Sequence, residues 1–430
     1  MKRIPLLKHL SSPTLCIAVA ALSFLAVGGT SHADLFWAPS GNTEVAASGT
    51  WDSTTPNWQA APSSPGTQQT WTQNSDAVFR GGPSNAAAQT VTFGTTPLTI
   101  NSITFSAGAG TYNFVNPGAN PAPITIIGST DPNHTPGGIA NLSSNTQTFD
   151  IGNGPLNFQN SATAGGSGSP VAITSSGTIG VVNFNDTSDA GSALISNVSQ
   201  LNFNGGSGPL GSSASQATIN NVGSVNFNNN SDAAASTINT GSGTVNFNDN
   251  STGGTATVTV ASDGQLNVSG SALGAVSLDS INASGKVTLG TTALTLKNTL
   301  TLNSGSAFDF NLDTVSGAVS TDVVTGGPLT PGSILLNLTL SNFVAGQPYS
   351  LINFNTNTVN GGLTASDFAV GGDLNGYTAT VTVDSNSVDV TLTAVPEISS
   401  FAMPIAGALA LFWFRRRSAG SSVPLPSAQI

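Results

Sequence analysis

Apolar and polar residues alternate in short strings along most of this chain, and the strings repeat. Leu156-Asn157-Phe158, Val182-Asn183-Phe184, Leu201-Asn202-Phe203, Val225-Asn226-Phe227, Val245-Asn246-Phe247 and Leu266-Asn267-Val268 follow one another at spacings of 26, 19, 24, 20 and 21 residues. The two apolar residues of each phrase lie two apart, so in extended backbone they share one face. Turn formers follow each phrase: Asn185-Asp186, Gly205-Gly206, Asn229-Asn230 and Asp249-Asn250. Between phrases lies a second, weaker string, at residues 190–198, 217–222 and 235–240. A unit of about 20 residues cannot bury its own apolar face and must stack on its neighbours. The pattern predicts an all-β fold, a parallel β-helix of about 20 residues per coil, with Phe and Val stacked inside. The Asn after each Phe is expected to form stacked amide ladders at the coil corners, and extra residues to loop out between coils. A β-sandwich or propeller array would need stronger hairpin turns and more even blade lengths.

The flanks differ in texture. Residues 34–150 hold Trp37, Trp51, Trp58 and Trp71, every tryptophan outside the tail, and read as a Trp-rich β cap with the first coils. Residues 151–305 carry the repeats. From residue 306 to 394 the strings lengthen, with Gly- and Pro-bearing turns, and predict a C-terminal β cap or small sandwich. No segment before the tail has the periodicity of an amphipathic helix.

Composition sharpens this picture. Charged residues are 7% of the chain, against a usual quarter. Between Asp34 and Val395 the strong bases are Arg80, Lys286 and Lys297, facing nineteen Asp and Glu side chains. So acidic a body repels nucleic acid and anionic headgroups, which argues against either as a partner. Low charge with abundant Asn, Gly and Ser can mean disorder, but the recurring apolar strings argue for ordered β structure.

Both termini carry addressing signals. Lys2, Arg3 and Lys8 precede an uncharged apolar stretch at residues 15–27, and Ser31-His32-Ala33 supplies small residues at −3 and −1. This predicts a signal peptide over residues 1–33, cut between Ala33 and Asp34 by signal peptidase after export through the Sec machinery. Cys16 lies inside it, so the mature chain would contain no cysteine and rely on no disulfide, which suits an oxidising setting. At the other end Val395-Pro396-Glu397 leads into an apolar run at residues 398–414, broken by Pro404 and Gly407 and stopped by Arg415-Arg416-Arg417. The run predicts one transmembrane helix, with the arginines anchored on the cytoplasmic side of the inner membrane and residues 418–430 forming a cytoplasmic tail.

Residues 395–417 resemble the PEP-CTERM sorting signal, although Ile398 stands where that family has a second proline. The resemblance implies an exosortase-like membrane enzyme as partner, in a Gram-negative envelope, and a link to exopolysaccharide. Gly49-Thr50-Trp51, Asn57-Trp58, Asp76-Ala77-Val78-Phe79 and residues 100–105 resemble the autotransporter-associated β-strand repeat of large surface β-helices. Residues 343–351, with Gly346 and Tyr349-Ser350-Leu351-Ile352, are similar to the module that precedes many PEP-CTERM tails. These likenesses imply location more than activity.

Chemistry is thinly provisioned. The one histidine of the mature body, His134, sits in a Pro- and Gly-rich loop with no nucleophile elbow nearby, so it reads as a solvated loop residue. Asp186, Asp189, Asp232 and Asp249 could supply a glycosidase carboxylate pair or calcium ligands, but each follows a repeat phrase, where an aspartate more simply caps a turn. No EF-hand or Gly-Gly-x-Gly-x-Asp repeat is present. The tryptophans could stack on sugars, yet their uneven spacing favours burial. Asn197-Val198-Ser199 is a glycosylation sequon, a weak signal. The sequence thus predicts no catalytic, metal or cofactor site. It predicts an exported structural or adhesive β-helix, docked at the inner membrane and passed to the surface or matrix. A carbohydrate-active or carbohydrate-binding β-helix and an autotransporter passenger are the alternatives; no terminal set of barrel strands closes the chain as the latter would require.

Overall fold

The computed structural model describes residues 33–62, 66–82, 87–128, 137–166, 168–196, 198–206, 210–313 and 317–396. Within them the fold is all-β. The one helical element is a three-residue 3-10 turn, Ala365–Asp367. The strands form two long sheets, of sixteen and seventeen strands among the described residues, and the chain visits them in turn. This is a β-solenoid.

The repeated phrases build the first sheet in parallel. Leu156, Val182, Leu201, Val225, Val245, Leu266 and Val287 are successive cross-strand partners, one per coil, and the column runs on through Phe308, Leu336 and Val370. Two positions along, Phe158, Phe184, Phe203, Phe227 and Phe247 stack face to face, with centroids 4.7, 5.0, 4.8 and 4.9 Å apart and planes within 10°. That spacing is the distance between hydrogen-bonded strands, so the backbone ladder sets the ring separation. The weaker strings form the second sheet. There Phe149, Ile173, Ile195, Ile219, Ile238, Val258, Ile281 and Leu300 make an equally continuous inward column. All of these side chains are buried except the last of the first column, Val370, which is partly buried.

A third, narrow side closes each coil. Single parallel bridges join Gly138, Thr163, Asp189, Ser213, Asp232 and Thr252 in order. On either side of this line the buried positions are small: Ser188, Ser212, Ser231 and Ser251 before it, Ala190, Ala214 and Ala233 after it. Backbone of successive coils runs close there, and the side chains that the coil encloses at these positions are no larger than a hydroxymethyl. The turn back to the second sheet uses left-handed backbone in consecutive coils, at Gly191, Ser215, Ala234 and Gly254, with φ between 50° and 59°. Glycine takes this conformation freely, while a Cβ costs about 1–2 kcal/mol.

The ends leave the parallel pattern. Trp58–Gln59 pairs antiparallel with Asp34–Trp37 at the start of the first sheet. Trp37, Trp51, Trp58 and Trp71 are all buried there, with indole centroids 4.8 to 5.1 Å apart in edge-on or tilted contact. At the other end Ser387–Ala394 pairs antiparallel with both Pro348–Val359 and Tyr377–Val383. The change of architecture expected at residue 306 comes later than the sequence suggests. Ala307–Leu312, Ile334–Leu340 and Phe368–Gly371 still pair in parallel with the first sheet, and Val319–Gly326 and Pro348–Val359 with the second. The longer strings there reflect longer coils and loops on an unchanged winding. Among the described residues no helix is long and apolar enough to cross a membrane; residues 398–414, where the sequence predicts a span, lie outside them.

The left-handed corner yields a test. Ala234→Gly should stabilise the fold by about 1 kcal/mol, because it removes the Cβ penalty. Gly254→Ala should destabilise it, since the new Cβ would meet Ala234 O at 2.7 Å and Asp232 Oδ1 at 2.8 Å. Urea midpoints of the two variants measure both signs, and a less stable Ala234→Gly would contradict the strain argument.

Candidate functional site

The outward face of the first sheet is the most regular surface of the molecule. Asn183 Nδ2 donates to Asn157 Oδ1 (2.8 Å), Asn202 to Asn183 (2.8 Å), Asn226 to Asn202 (2.9 Å), Asn246 to Asn226 (2.9 Å) and Asn267 to Asn246 (3.4 Å). A second amide ladder runs beside it through Asn185, Asn204, Asn228 and Asn248, at 2.9 to 3.1 Å. The sequence located the second ladder, after each Phe. The first is not marked by turn chemistry, since its Asn is simply the polar residue of each strand; its recurrence in register is the signal for it. These ladders use amides in stabilising one another and present a flat, neutral, half-exposed strip.

The aspartates behave as turn residues. Asp186 and Asp249 hold left-handed φ values of 58° and 54°. Their carboxylates accept the backbone N–H groups of Asn160 (3.1 Å) and Asn229 (3.0 Å) from the preceding coils. Asp232 accepts Ala234 N–H and the Thr252 hydroxyl, both at 2.9 Å. Asp189 accepts the Thr163 hydroxyl (2.9 Å) and Gly191 N–H (2.8 Å). Two of these carboxylates lie on the bridge line, Asp189 and Asp232, and Ser213 stands between them. The basic side chains are dispersed as well: Arg80 reaches Glu44 at 3.3 Å and Lys286 reaches Asp309 at 2.6 Å. No group of three or more His, Cys, Asp or Glu side chains gathers among the described residues. His134 lies outside them.

One cleft brings polar groups together in a way the sequence did not predict. It has a volume of about 490 Å³, lies beside the first strands of the first sheet, and includes Asp34, Asp76, Asn101, Ser102, Ile139 and Leu142 in its lining. Asp34 and Asp76 are direct cross-strand partners although 42 residues apart, a pairing no local spacing reveals. Asn101 Nδ2 (2.7 Å) and the Ser102 hydroxyl (2.5 Å) both donate to Asp76 Oδ1. No aromatic ring is among the described lining residues to stack on a sugar.

The residues from which the sequence predicts addressing signals are peripheral to these features. Ala33 and Asp34 are exposed, and Ala33 O accepts Asp76 N–H at 3.0 Å, so the expected cleavage falls at the edge of the first strand. Val395 and Pro396 are exposed as the chain leaves the last strand, with Val395 N–H donating to Gly376 O at 3.0 Å. Glu397, Arg415, Arg416 and Arg417 lie outside the described residues. Asn197 of the sequon does too. The four N-terminal tryptophans, weighed above as a sugar platform, are buried among one another and offer no such surface.

Asp189 supplies a pH test. Burial pushes its carboxyl above the ordinary 3.8, against the opposing pull of Thr163 and Gly191. A folded-state pKa above the unfolded value means that stability is greatest below the unfolded value and falls as pH rises through the folded one. Asp189→Asn keeps an acceptor oxygen for both donors and removes the charge. Urea melts should show the variant more stable than the native chain at neutral pH, with the gap closing toward about pH 3; a variant less stable at neutral pH would refute this. Among known proteins, no family model matches the chain and no curated protein is significantly similar to it.

Proposed function

We propose that this chain is an exported, non-enzymatic structural or adhesive rod of a Gram-negative cell envelope, addressed by its C-terminal tail. The observation that carries the reading is the unbroken stack of parallel coils whose outer face is spent on mutual amide hydrogen bonds. Such a surface is stiff, repetitive and neutral, suited to spacing, packing or adhesion. The signal residues Ala33 and Asp34 would release the body after Sec export, and residues 398–414 would form a transmembrane helix docked by Arg415, Arg416 and Arg417. An exosortase-like enzyme would read Val395, Pro396 and Glu397, and matrix exopolysaccharide is the natural companion of the processed rod. The aromatic N-terminal cluster and the antiparallel C-terminal strands would then serve as end caps, keeping coil edges from pairing with other chains.

A carbohydrate-active enzyme on the same scaffold is the second reading, and the neighbouring Asp34 and Asp76 are its one specific support. Against it, no aromatic ring is among the described lining residues to stack on a sugar face.

Fractionation of a tagged chain with and without residues 398–417 tests the address. The intact chain should partition to membranes and from there to the surface or medium, and the truncated chain should remain soluble in the periplasm. Identical distributions of the two would sink the sorting reading.

A further inference from the structure

We propose that the cleft between strands Asp34–Trp37, Ser75–Phe79 and Leu98–Phe105 binds a divalent cation of calcium's size and hardness, held by Asp34, Asp76 and Asn101. The argument begins with charge. Asp34 and Asp76 are partners on adjacent parallel strands, and both point outward, because Leu35 and Ala77 beside them are buried. Strand spacing is about 4.8 Å, and at such a distance two like charges repel by about 1 kcal/mol in water and more beside protein. Elsewhere the fold avoids this. Asp150 faces Thr174, Asp186 faces Gly205, Asp189 faces Ser213, Asp232 faces Thr252 and Asp309 faces Asn337. Asp34 and Asp76 are the sole aspartate pair in the register of the described strands. Among the described side chains no base relieves them: Arg80 is turned to Glu44, Lys286 to Asp309, and Lys297 follows a strand of the other sheet; cleavage before Asp34 would add a single α-ammonium and still leave one of the two charges uncompensated.

The second observation is Asn101. The register shifts between Ser75 and Asp76, opposite Ile100 and Ser102, and Asn101 is the extra residue of that bulge. Bulges re-aim side chains, and this one brings a side chain only 2% exposed to the lining of the cleft. Its Nδ2 is used on Asp76, while its Oδ1 has no partner, a costly state for a buried carbonyl oxygen. The Ser102 hydroxyl also goes to Asp76, and the Thr163 hydroxyl at the far wall goes to Asp189. Of the side-chain donors in the described lining only the Thr104 hydroxyl is uncommitted, and the groups left over are oxygens: Thr104 Oγ1, the Asp34 carboxylate, Asp76 Oδ2 and Asn101 Oδ1. A ligand that takes hard oxygens of this kind and neutralises the carboxylates is a divalent cation. Calcium tolerates the irregular geometry of two carboxylates, an amide and water better than magnesium does. Its binding would tie the first strand to its two neighbours.

Calorimetric titration of the purified full chain with calcium chloride, paired with thermal melts in calcium or chelator, tests this. Native protein should bind one calcium and melt higher in calcium than in chelator. Asp34→Asn, a change at an exposed position, should lose at least ten-fold in affinity, and Asp76→Asn likewise. In chelator Asp34→Asn should melt no lower than the native chain, because it also removes the repulsion. The absence of binding heat and of any melting shift at millimolar calcium would overturn the proposal. So would a calcium-induced shift of equal size in Asp34→Asn, which would mark general screening of an acidic protein.

Discussion

Every coil of this protein is held to the next by a parallel backbone ladder that places each residue directly over its counterpart one turn earlier. That single constraint, in-register stacking at the spacing of hydrogen-bonded strands, governs which side chains the chain can use. Like must tolerate like. Phenylalanine does so by stacking with near-parallel planes, and aromatic pairs of this kind are worth about 0.5–1.5 kcal/mol beyond area burial. Asparagine does so because its side chain carries both donor and acceptor, so one amide can pass a hydrogen bond to the next along the whole stack. Each link contributes about 0.5–1.5 kcal/mol net, and a ladder needs no other partner. The columns of Phe158 through Phe247 and of Asn157 through Asn267 are therefore two answers to one geometric demand, on opposite faces of one sheet.

Much of this was legible in the sequence because stacking writes itself as repetition. The phrases from Leu156 to Val268 carried the coil length and the inward column, the weaker strings between them carried the second run of strands, and the register follows the phrase spacings until a shift after Asn246. The third side was not legible. It consists of single bridges through Thr163, Asp189, Ser213, Asp232 and Thr252, with no run of alternation to mark it. Its buried small residues look like linker composition until their shared depth is seen. The continuation past residue 306 was hidden for a related reason. Coils there lengthen, Phe308 and Leu336 replace the Leu-Asn-Phe phrase, and periodicity fades although the pairing does not change. The cleft at Asp34 was illegible because its members come from three separate coils and meet through a bulge.

The two ends show what stacking cannot do for itself. A parallel coil always leaves an edge, and the first sheet begins, and the second sheet ends, with antiparallel strands that the repeat does not encode. At the N-terminal end the large residues forbidden by the narrow coil corners are concentrated instead: four indoles with Phe79, Phe93, Phe105 and Phe114 in mutual contact. Edge-to-face contact lets rings of unequal size fill an irregular end where ladder geometry no longer applies.

The scarcity of charge has the same origin. A body with so few charged residues and so much Asn, Gly and Ser invites a reading of disorder, yet the stack explains it without any loss of order. A charge repeated at one coil position would face its own copy at one strand spacing above and below, and each such contact opposes folding. Selection for a stackable repeat thus replaces Lys, Glu and Asp by amides and hydroxyls wherever the position recurs. It admits aspartate only in alternation, as Thr163, Asp189, Ser213, Asp232 and Thr252 show along one line. In a fold under that rule a composition bias is a consequence of register. An aspartate set over an aspartate, as at Asp34 and Asp76, then stands out as a departure that requires a reason of its own.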